Sequence, residues 1–394
     1  AQTADEVLAS VTVITREEIE RRQVQSVQEV LRGVPGLHIT NSGGLGKVTA
    51  VFLRGTNSNH VLVLIDGIRV GSATTGTTAF QLIPIDQIER IEIVRGPHAS
   101  LYGSEALGGV IQIFTRKGGG ALRPSFSSGG GHGTYKLVGG ASGGGERGWF
   151  NLGASRIDTE GFNACSSTTA QPGGCFTFEP DDDGYTNNAG SARFGYRFEN
   201  GLDLDARLLH AEGNNEFDGS SQNQDDFVQQ ALSGQIRFSP AASWGVTILG
   251  GRSLDESENF KAGIPGRSVF DTERQSALFQ NDFTLAPGHV LTVGFDYYND
   301  LIESTEDFAE TSRDNKAGFG QYQGAFDDLD WVLGVRHDDN EQFGGEWTGN
   351  VGLGYSFGPS LRLTAGWGRG FKAPSFNDLF FPDFGACELV PIED

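Results

Sequence analysis

In 394 residues the chain carries 29 Lys+Arg against 51 Asp+Glu, a net charge of −22, with 58 Gly, 28 Phe, only 13 Pro and no Met. The acidic balance argues against a nucleic-acid partner, which needs a basic surface, and the scarcity of Pro rules out a Pro-rich disordered chain. No run of about 18 apolar residues marks a transmembrane helix, a test that strands apolar on alternate residues escape.

Residues 1–117 hold 11 basic and 11 acidic residues, so the remaining 18 basic and 40 acidic residues place the whole net charge in 118–394. Thr15-Arg16-Glu17-Glu18 has the spacing of a capping box, and Ser26-Val27-Gln28-Glu29 repeats it. Gly33 after Leu31 predicts a helix stop, and Pro35 blocks continuation. Residues 48–53 and 60–65 predict strands, the second an apolar run buried on both faces, with Asp66-Gly67 as the turn after it. A domain of about 110 residues can bury its own core, and an independent soluble α/β module is the plainer reading of this stretch.

Four further segments follow in order. They are Phe52-Leu53-Arg54-Gly55-Thr56-Asn57, His60-Val61-Leu62-Val63-Leu64-Ile65-Asp66-Gly67, Ile88-Glu89-Arg90-Ile91-Glu92-Ile93-Val94-Arg95-Gly96-Pro97, and Leu101-Tyr102-Gly103-Ser104-Glu105-Ala106-Leu107-Gly108-Gly109-Val110-Ile111-Gln112-Ile113. At this spacing they resemble the plug of TonB-dependent outer-membrane receptors, over nearly all of residues 10–117. The resemblance implies an α/β plug in residues 1–117, then an antiparallel transmembrane β-barrel from residue 118 to 394. It implies an importer in the outer membrane of a Gram-negative bacterium, a monomeric barrel in contact with lipid and with TonB, and not an enzyme. By type and position, Arg54 and Arg95 are expected to pair with barrel acids and hold the plug.

The region after Gly118 alternates with period two. Ala192, Phe194, Tyr196 and Phe198 alternate with Arg193, Gly195 and Arg197; Leu291, Val293, Phe295 and Tyr297 alternate with Thr292, Gly294 and Asp296. Val351, Leu353, Tyr355 and Phe357 do the same against Asn350, Gly352, Gly354 and Ser356, as do Leu361, Leu363, Ala365 and Trp367 against Arg362, Thr364 and Gly366. The apolar rows end in aromatics, as where a strand meets lipid headgroups. A soluble sandwich has the same period, but its polar face would be rich in charge, whereas this one is rich in Gly, Thr and Asn. Short turns at Glu199-Asn200-Gly201, Ala286-Pro287-Gly288 and Phe357-Gly358-Pro359 alternate with long acidic loops. Roughly thirteen strands are countable, against about 22 in plugged outer-membrane transporters. The barrel is therefore expected to be incomplete, with residues 371–376 similar to a mid-barrel motif. Residues 390–394 are not expected to form a last strand, and residues 1–9 match no Ton box, so the chain is expected to be a piece of a longer mature protein.

Within the family the plug is most similar to the cobalamin receptors, through Val34-Pro35-Gly36-Leu37-His38-Ile39-Thr40-Asn41-Ser42-Gly43-Gly44 and the two motifs that follow it. That implies cobalamin as the bulky nutrient; a ferric siderophore or other metal complex is the alternative. It also implies a loop Ca²⁺ site. Asp181 and Asp183 would be ligands, with Glu179 nearby, Asp218 from the next loop, Asp225 or Asp226 completing the set, and Asn163 where the family has an acid. Ca²⁺ takes 6–8 oxygens, and Asp-x-Asp-Gly supplies two carboxylates on a tight bend. A solvated acidic turn is the plainer alternative. Substrate contacts are expected from Val48, Ala50, Asn57, Thr75 and Gly76, each equally readable as a loop tip. Cys165 and Cys175 flank a Ser/Thr/Gly-rich loop and are expected to form a disulfide in an oxidising compartment.

The seven His show no HExxH spacing, and neither a Gly-x-Ser-x-Gly elbow nor a Walker loop occurs. From other classes, a soluble β-rich binding protein and a passive plugged porin are the competing readings.

Overall fold

The computed structural model describes residues 8, 10–96, 99–164, 179–358 and 361–381. The expected Cys165–Cys175 bridge and the readings made on residues 1–7 and 390–394 lie outside these.

The N-terminal domain is built on a five-stranded mixed sheet and a two-stranded hairpin. Its strands are β1 (Ser10–Thr15), β2 (Leu37–Asn41), β3 (Thr49–Leu53), β4 (Val61–Ile65), β5 (Ile68–Arg69), β6 (Ile88–Arg95) and β7 (Gly109–Thr115). The sheet order is β1-β6-β7-β4-β5, with β4 and β7 parallel and the other pairs antiparallel, while β2 pairs with β3. Two helices, α1 (Arg16–Arg22) and α2 (Val27–Leu31), begin where the capping residues predict. The Thr15 hydroxyl accepts from the Glu18 amide at 3.4 Å, and Ser26 accepts from Glu29 at the same distance. Neither box closes on its cap: Glu29 accepts from the Gln25 amide, and the Glu18 carboxylate takes Arg22 instead.

The apolar run of β4 is buried at every residue because the strand has a core on each face. Val61, Val63 and Ile65 join the main cluster with Ile91, Ile93 and Ile111, while Leu62 and Leu64 pack with Ala106 and Val110. Asp66 and Gly67 both have positive φ, 50° and 90°, so a two-residue turn pairs Ile65 with Ile68. The turn's Asp66 carboxylate accepts from the Thr115 amide at 3.1 Å and from its hydroxyl.

Thirteen antiparallel strands follow, each paired with the next in the chain. They are β8 (Arg123–Gly131), β9 (Thr134–Gly144), β10 (Gly148–Thr159), β11 (Tyr185–Arg197), β12 (Asp203–Glu216), β13 (Gln224–Ala241) and β14 (Trp244–Phe260). Then come β15 (Arg267–Ala286), β16 (His289–Ser304), β17 (Ser312–Phe326), β18 (Leu329–Asn340), β19 (Gly344–Ser356) and β20 (Arg362–Arg369). The described sheet runs from β20 to β8, and these two edges do not pair with one another. A tilted spanning strand needs about 9–11 residues. β13, β14 and β15, with 18, 17 and 20, therefore extend past that length at the end where the loops are long.

The alternating apolar rows face outward: Phe194, Phe295, Val351, Leu353 and Trp367 are all exposed. Aromatic contacts collect near the short turns, where Trp244 stacks on Phe283 at 5.7 Å and Tyr355 meets Phe357 edge-on at 4.7 Å. This is the girdle expected at a membrane boundary. The inner face is more charged than its Gly, Thr and Asn content predicts. Arg336 is fully buried and donates to Asp338 and Asp296 at 2.8 Å, and Arg274 is buried against Asp300.

The N-terminal domain sits against this inner face. Ser253 donates to the Arg69 carbonyl at 2.7 Å, Gln87 accepts from Ser191 at 2.6 Å, and Glu105 pairs with Lys372 at 3.2 Å. Arg69 lies 3.5 Å from Asp296. The arginines singled out in the sequence do not do this. Arg95 donates to the Pro35 carbonyl at 2.9 Å and to Ser10 and Thr12, all within its own domain, and Arg54 is exposed. The physical reason is that Arg95 is taken up by acceptors of its own domain and Arg54 stands exposed, whereas Arg69 follows a turn in a segment that packs against β14.

Candidate functional site

At the long-loop end, two tips of the N-terminal domain rise beneath the strand extensions. One is the β2–β3 connection, residues 42–48; the other is the segment 70–80 after β5. Between them and the wall lies a cavity of about 760 Å³, lined by Val48 and Thr75 from the tips and by Asp183, Asp218, Phe227 and Asp255 from the wall. The lining mixes apolar and polar groups, as ligand sites do. The second tip is fixed by backbone donors: Ala73 donates to the Thr272 hydroxyl at 3.0 Å, and Asn377 donates to the Thr74 carbonyl at 2.9 Å. The segment after β20, with its short helix α3 (Phe376–Phe380), closes over this tip, and Phe376 packs fully buried against Ala73, Ile302 and Phe308.

The expected substrate residues are only partly brought together. Val48 and Thr75 reach the cavity. Gly76 lies behind Thr75, with φ +72° and a position where a Cβ would stand 3.2 Å from the Lys372 ammonium. Ala50 is half-buried within β3, and Asn57 lies in a separate hollow with His38 and Phe52.

The acids divide in the same way. Carboxylate oxygens of Glu179, Asp181 and Asp218 lie within 4.8 Å of one another. A Ca²⁺ ion bound at 2.3–2.6 Å spans such a gap. Asp183 adjoins the group, its carboxylate accepting from the Ala164 amide at 2.9 Å. Asn163 closes the loop beneath, donating its amide nitrogen to the Glu179 carbonyl at 3.2 Å. Burial and the charges of Asp183, Glu179 and Asp181 push Asp218 up to about 6. Burial pushes Glu179 up as well, yet the Gly219 amide, Asn223 and Lys261 outweigh it and hold that carboxylate below its usual range. The three carboxylates, with Asp183 beside them, repel one another.

Asp225 and Asp226 do not join this group. Asp225 lines the cavity and accepts from Ser257 at 2.7 Å. Asp226, its neighbour along β13, points to the opposite face and pairs with Arg267 at 3.0 Å. Adjacent strand residues cannot share a face.

Lys47 was not singled out in the sequence, though it occupies the centre of the site. It is 3% exposed, and its ammonium donates to the Gly184 carbonyl at 3.0 Å and to the Asn215 amide oxygen at 2.8 Å. Burial lowers it to about 8 against the opposing pull of Asp183 and Glu216. Its bonds tie a tip of the N-terminal domain to the wall directly below the acid group.

Two family models match: "TonB-dependent Receptor Plug Domain" over residues 3–110 and "TonB dependent receptor-like, beta-barrel" over residues 123–387. A vitamin B12 transporter, BtuB, of Photobacterium profundum is 36% identical over 402 aligned residues, covering 100% of this chain and 64% of its own length. The BtuB of Vibrio vulnificus is 30% identical and covers 99% and 64%. Among solved structures, the ferric enterobactin receptor PfeA in complex with BCV-L6 superposes with a TM-score of 0.79 at 17% identity, over 93% of this chain and 63% of that one. The chain thus spans somewhat under two thirds of the relatives it matches.

Proposed function

Because the chain belongs to the TonB-dependent receptor family, we propose that it is the capture portion of an outer-membrane cobalamin importer. The observation that carries this reading is the 36% identity, along the whole chain, to a vitamin B12 transporter. The cavity between the plug tips and the acidic loops supports it, because a bulky nutrient arriving from outside meets both at once.

In this reading the long loops face the exterior, the short turns face the periplasm, and TonB supplies the energy that rearranges the plug. Glu179, Asp181 and Asp218 hold Ca²⁺, with Asp183 adjoining. Bound calcium neutralises the loop acids and orders the loop before the nutrient arrives, which lowers the entropy lost on binding. Val48 and Thr75 contact the nutrient, and Lys47 transmits the loop's position to the plug through Gly184 and Asn215.

The test is cyanocobalamin binding to the detergent-solubilised receptor with and without Ca²⁺. Binding is expected to tighten with Ca²⁺ and to lose that dependence in Asp181→Asn/Asp218→Asn while the barrel stays folded. Affinity for a ferric siderophore with none for cobalamin overturns the nutrient assignment. A double variant that binds as tightly as the parent at every calcium level overturns the metal assignment.

A further inference from the structure

We propose that Lys372 is a positioning residue of the nutrient site, fastening the plug tip that carries Thr75 to the fixed body of the plug. The proposal rests on the cavity at the long-loop end being the place where the nutrient binds. Lys372 belongs to a strap, residues 370–377, that runs from β20 into α3.

The strap touches three bodies at once. On the tip, the Phe376 amide donates to the Ala73 carbonyl at 3.2 Å and the Asn377 amide to the Thr74 carbonyl at 2.9 Å. The Lys372 ammonium passes beside Gly76, where a Cβ would stand 3.2 Å from it. On the plug body, the same ammonium donates to the Glu105 carboxylate at 3.2 Å, and the Ala373 amide donates to the Ser104 hydroxyl at 3.0 Å. On the wall, Arg313 of β17 donates to the Pro374 carbonyl at 2.7 Å and lies 4.8 Å from the centre of the Phe376 ring. Asn377 lines the cavity together with Thr75, so a nutrient held there meets strap and tip side by side.

The anchor is fixed independently of the tip. Arg69 donates to the Ser104 carbonyl at 3.3 Å and to the Tyr102 carbonyl, and Arg336 donates to the Leu101 carbonyl at 3.5 Å. Glu105 has a φ of 81°, a conformation that a residue with a side chain keeps only where its surroundings over-determine it. Burial pushes its carboxyl up, but Lys372, Arg274 and Arg69 hold it down to about 2, so the group stays ionised. Arg274 stands 3.9 Å from the same carboxylate and remains as a counter-charge when Lys372 is neutralised. The tip is a run of small polar residues bonded within the loop: Gly76 donates to the Ser72 carbonyl at 2.9 Å and Thr77 to the Thr75 hydroxyl at 3.3 Å. Its place is set from outside, by Thr272 on the wall and by the strap. Holding a loop in its bound shape lowers the entropy lost when the ligand arrives.

Amide exchange over residues 73–77 and cyanocobalamin affinity, both measured on the detergent-solubilised receptor, test this role. In Lys372→Gln the tip is expected to exchange about tenfold faster and the nutrient to bind about tenfold more weakly, the scale of one charge-assisted hydrogen bond. Lys372→Arg should keep most of both. Exchange in β6 and β7 and the affinity for Ca²⁺ should not change. Lys136→Gln removes a different plug–wall pair, with Asp86 at 2.7 Å, and should leave tip and affinity as in the parent. Unchanged tip exchange in Lys372→Gln, a faster tip with undiminished affinity, or equal loosening in Lys136→Gln each overturns the proposal. Should Lys372→Gln not fold, Ser104→Ala, which releases the Ala373 amide from the plug, is read in the same way. A parent that binds no cyanocobalamin overturns the nutrient assignment instead, and tip exchange then still decides whether Lys372 fastens the tip.

Discussion

In the plug, Ile91, Ile93, Ile111 and Ile113 close on one another, and charged groups lie at the rim. In the wall, Leu333, Val335, Val351 and Leu353 point outward, while Asp300, Arg336 and Asp338 are the residues hidden. Both regions alternate with period two, so alternation alone does not say which face is the core. The solvent decides. The plug excludes water from its centre, whereas a membrane wall turns its apolar row to lipid and its polar row to whatever fills the lumen. The plug is charge-balanced, and its core needs no ions. The wall has more than twice as many acids as bases and uses its arginines as paired, oriented contacts to the plug. The difference teaches that the same sequence rhythm stabilises two opposite arrangements, and four experiments separate them.

The largest effect is expected at Arg336. It is fully buried between Asp338 and Asp296, so Arg336→Ala leaves the buried Asp338 carboxylate without its counter-charge and should cost about 3–5 kcal/mol in detergent unfolding. Replacing Arg336 and Asp338 together with apolar residues should recover much of that. Equal losses in the single and double variants would show that packing, not charge, dominates the inner face.

Ile111→Ala removes a fully buried side chain from the plug core and should cost about 2–5 kcal/mol. Hydrogen exchange should quicken in β6 and β7 while amides of β13 to β16 keep their protection. A matching loss of protection in the wall would mean that the two regions unfold as one unit.

On the outer face, Val335→Arg should cost about 2–4 kcal/mol if the residue lies near the bilayer midplane, and Val335→Leu almost nothing. The cost should be read in lipid vesicles. A harmless arginine there contradicts a lipid-facing wall.

The smallest effect lies where the regions meet. Asp218 is raised to about 6, so its carboxyl holds a proton more tightly folded than unfolded. Without metal, loop stability therefore declines as pH rises from the ordinary carboxylate range through about 6. Ca²⁺ requires the deprotonated form, so affinity should fall by up to about tenfold per pH unit below 6 and level off above 7. Asp218→Asn should flatten the profile, and an unchanged slope would remove Asp218 from the ligand set.

Caps, turns and alternation were legible because each is set by residues a few positions apart. Thr15 and Ser26 cap as their spacing predicts, Asp66-Gly67 turns because both positions take positive φ, and the thirteen strands follow their period. The acid group was legible in part: Glu179 and Asp181 are near neighbours, and Asp218 lies in the next loop. Asp226 fell outside because one residue along a strand reverses the face. The plug–wall contacts left no local mark. Lys47 meets Asn215 across 168 positions, and Glu105 meets Lys372 across 267. Arg54 and Arg95 looked the better anchors by motif, yet Arg69 and Glu105 face the wall. Which side of a domain meets a partner surface depends on how two folded pieces are oriented, and only the tertiary structure carries that information. The sequence alone determined two domains of opposite polarity, and the assembled fold decided which charges face each other.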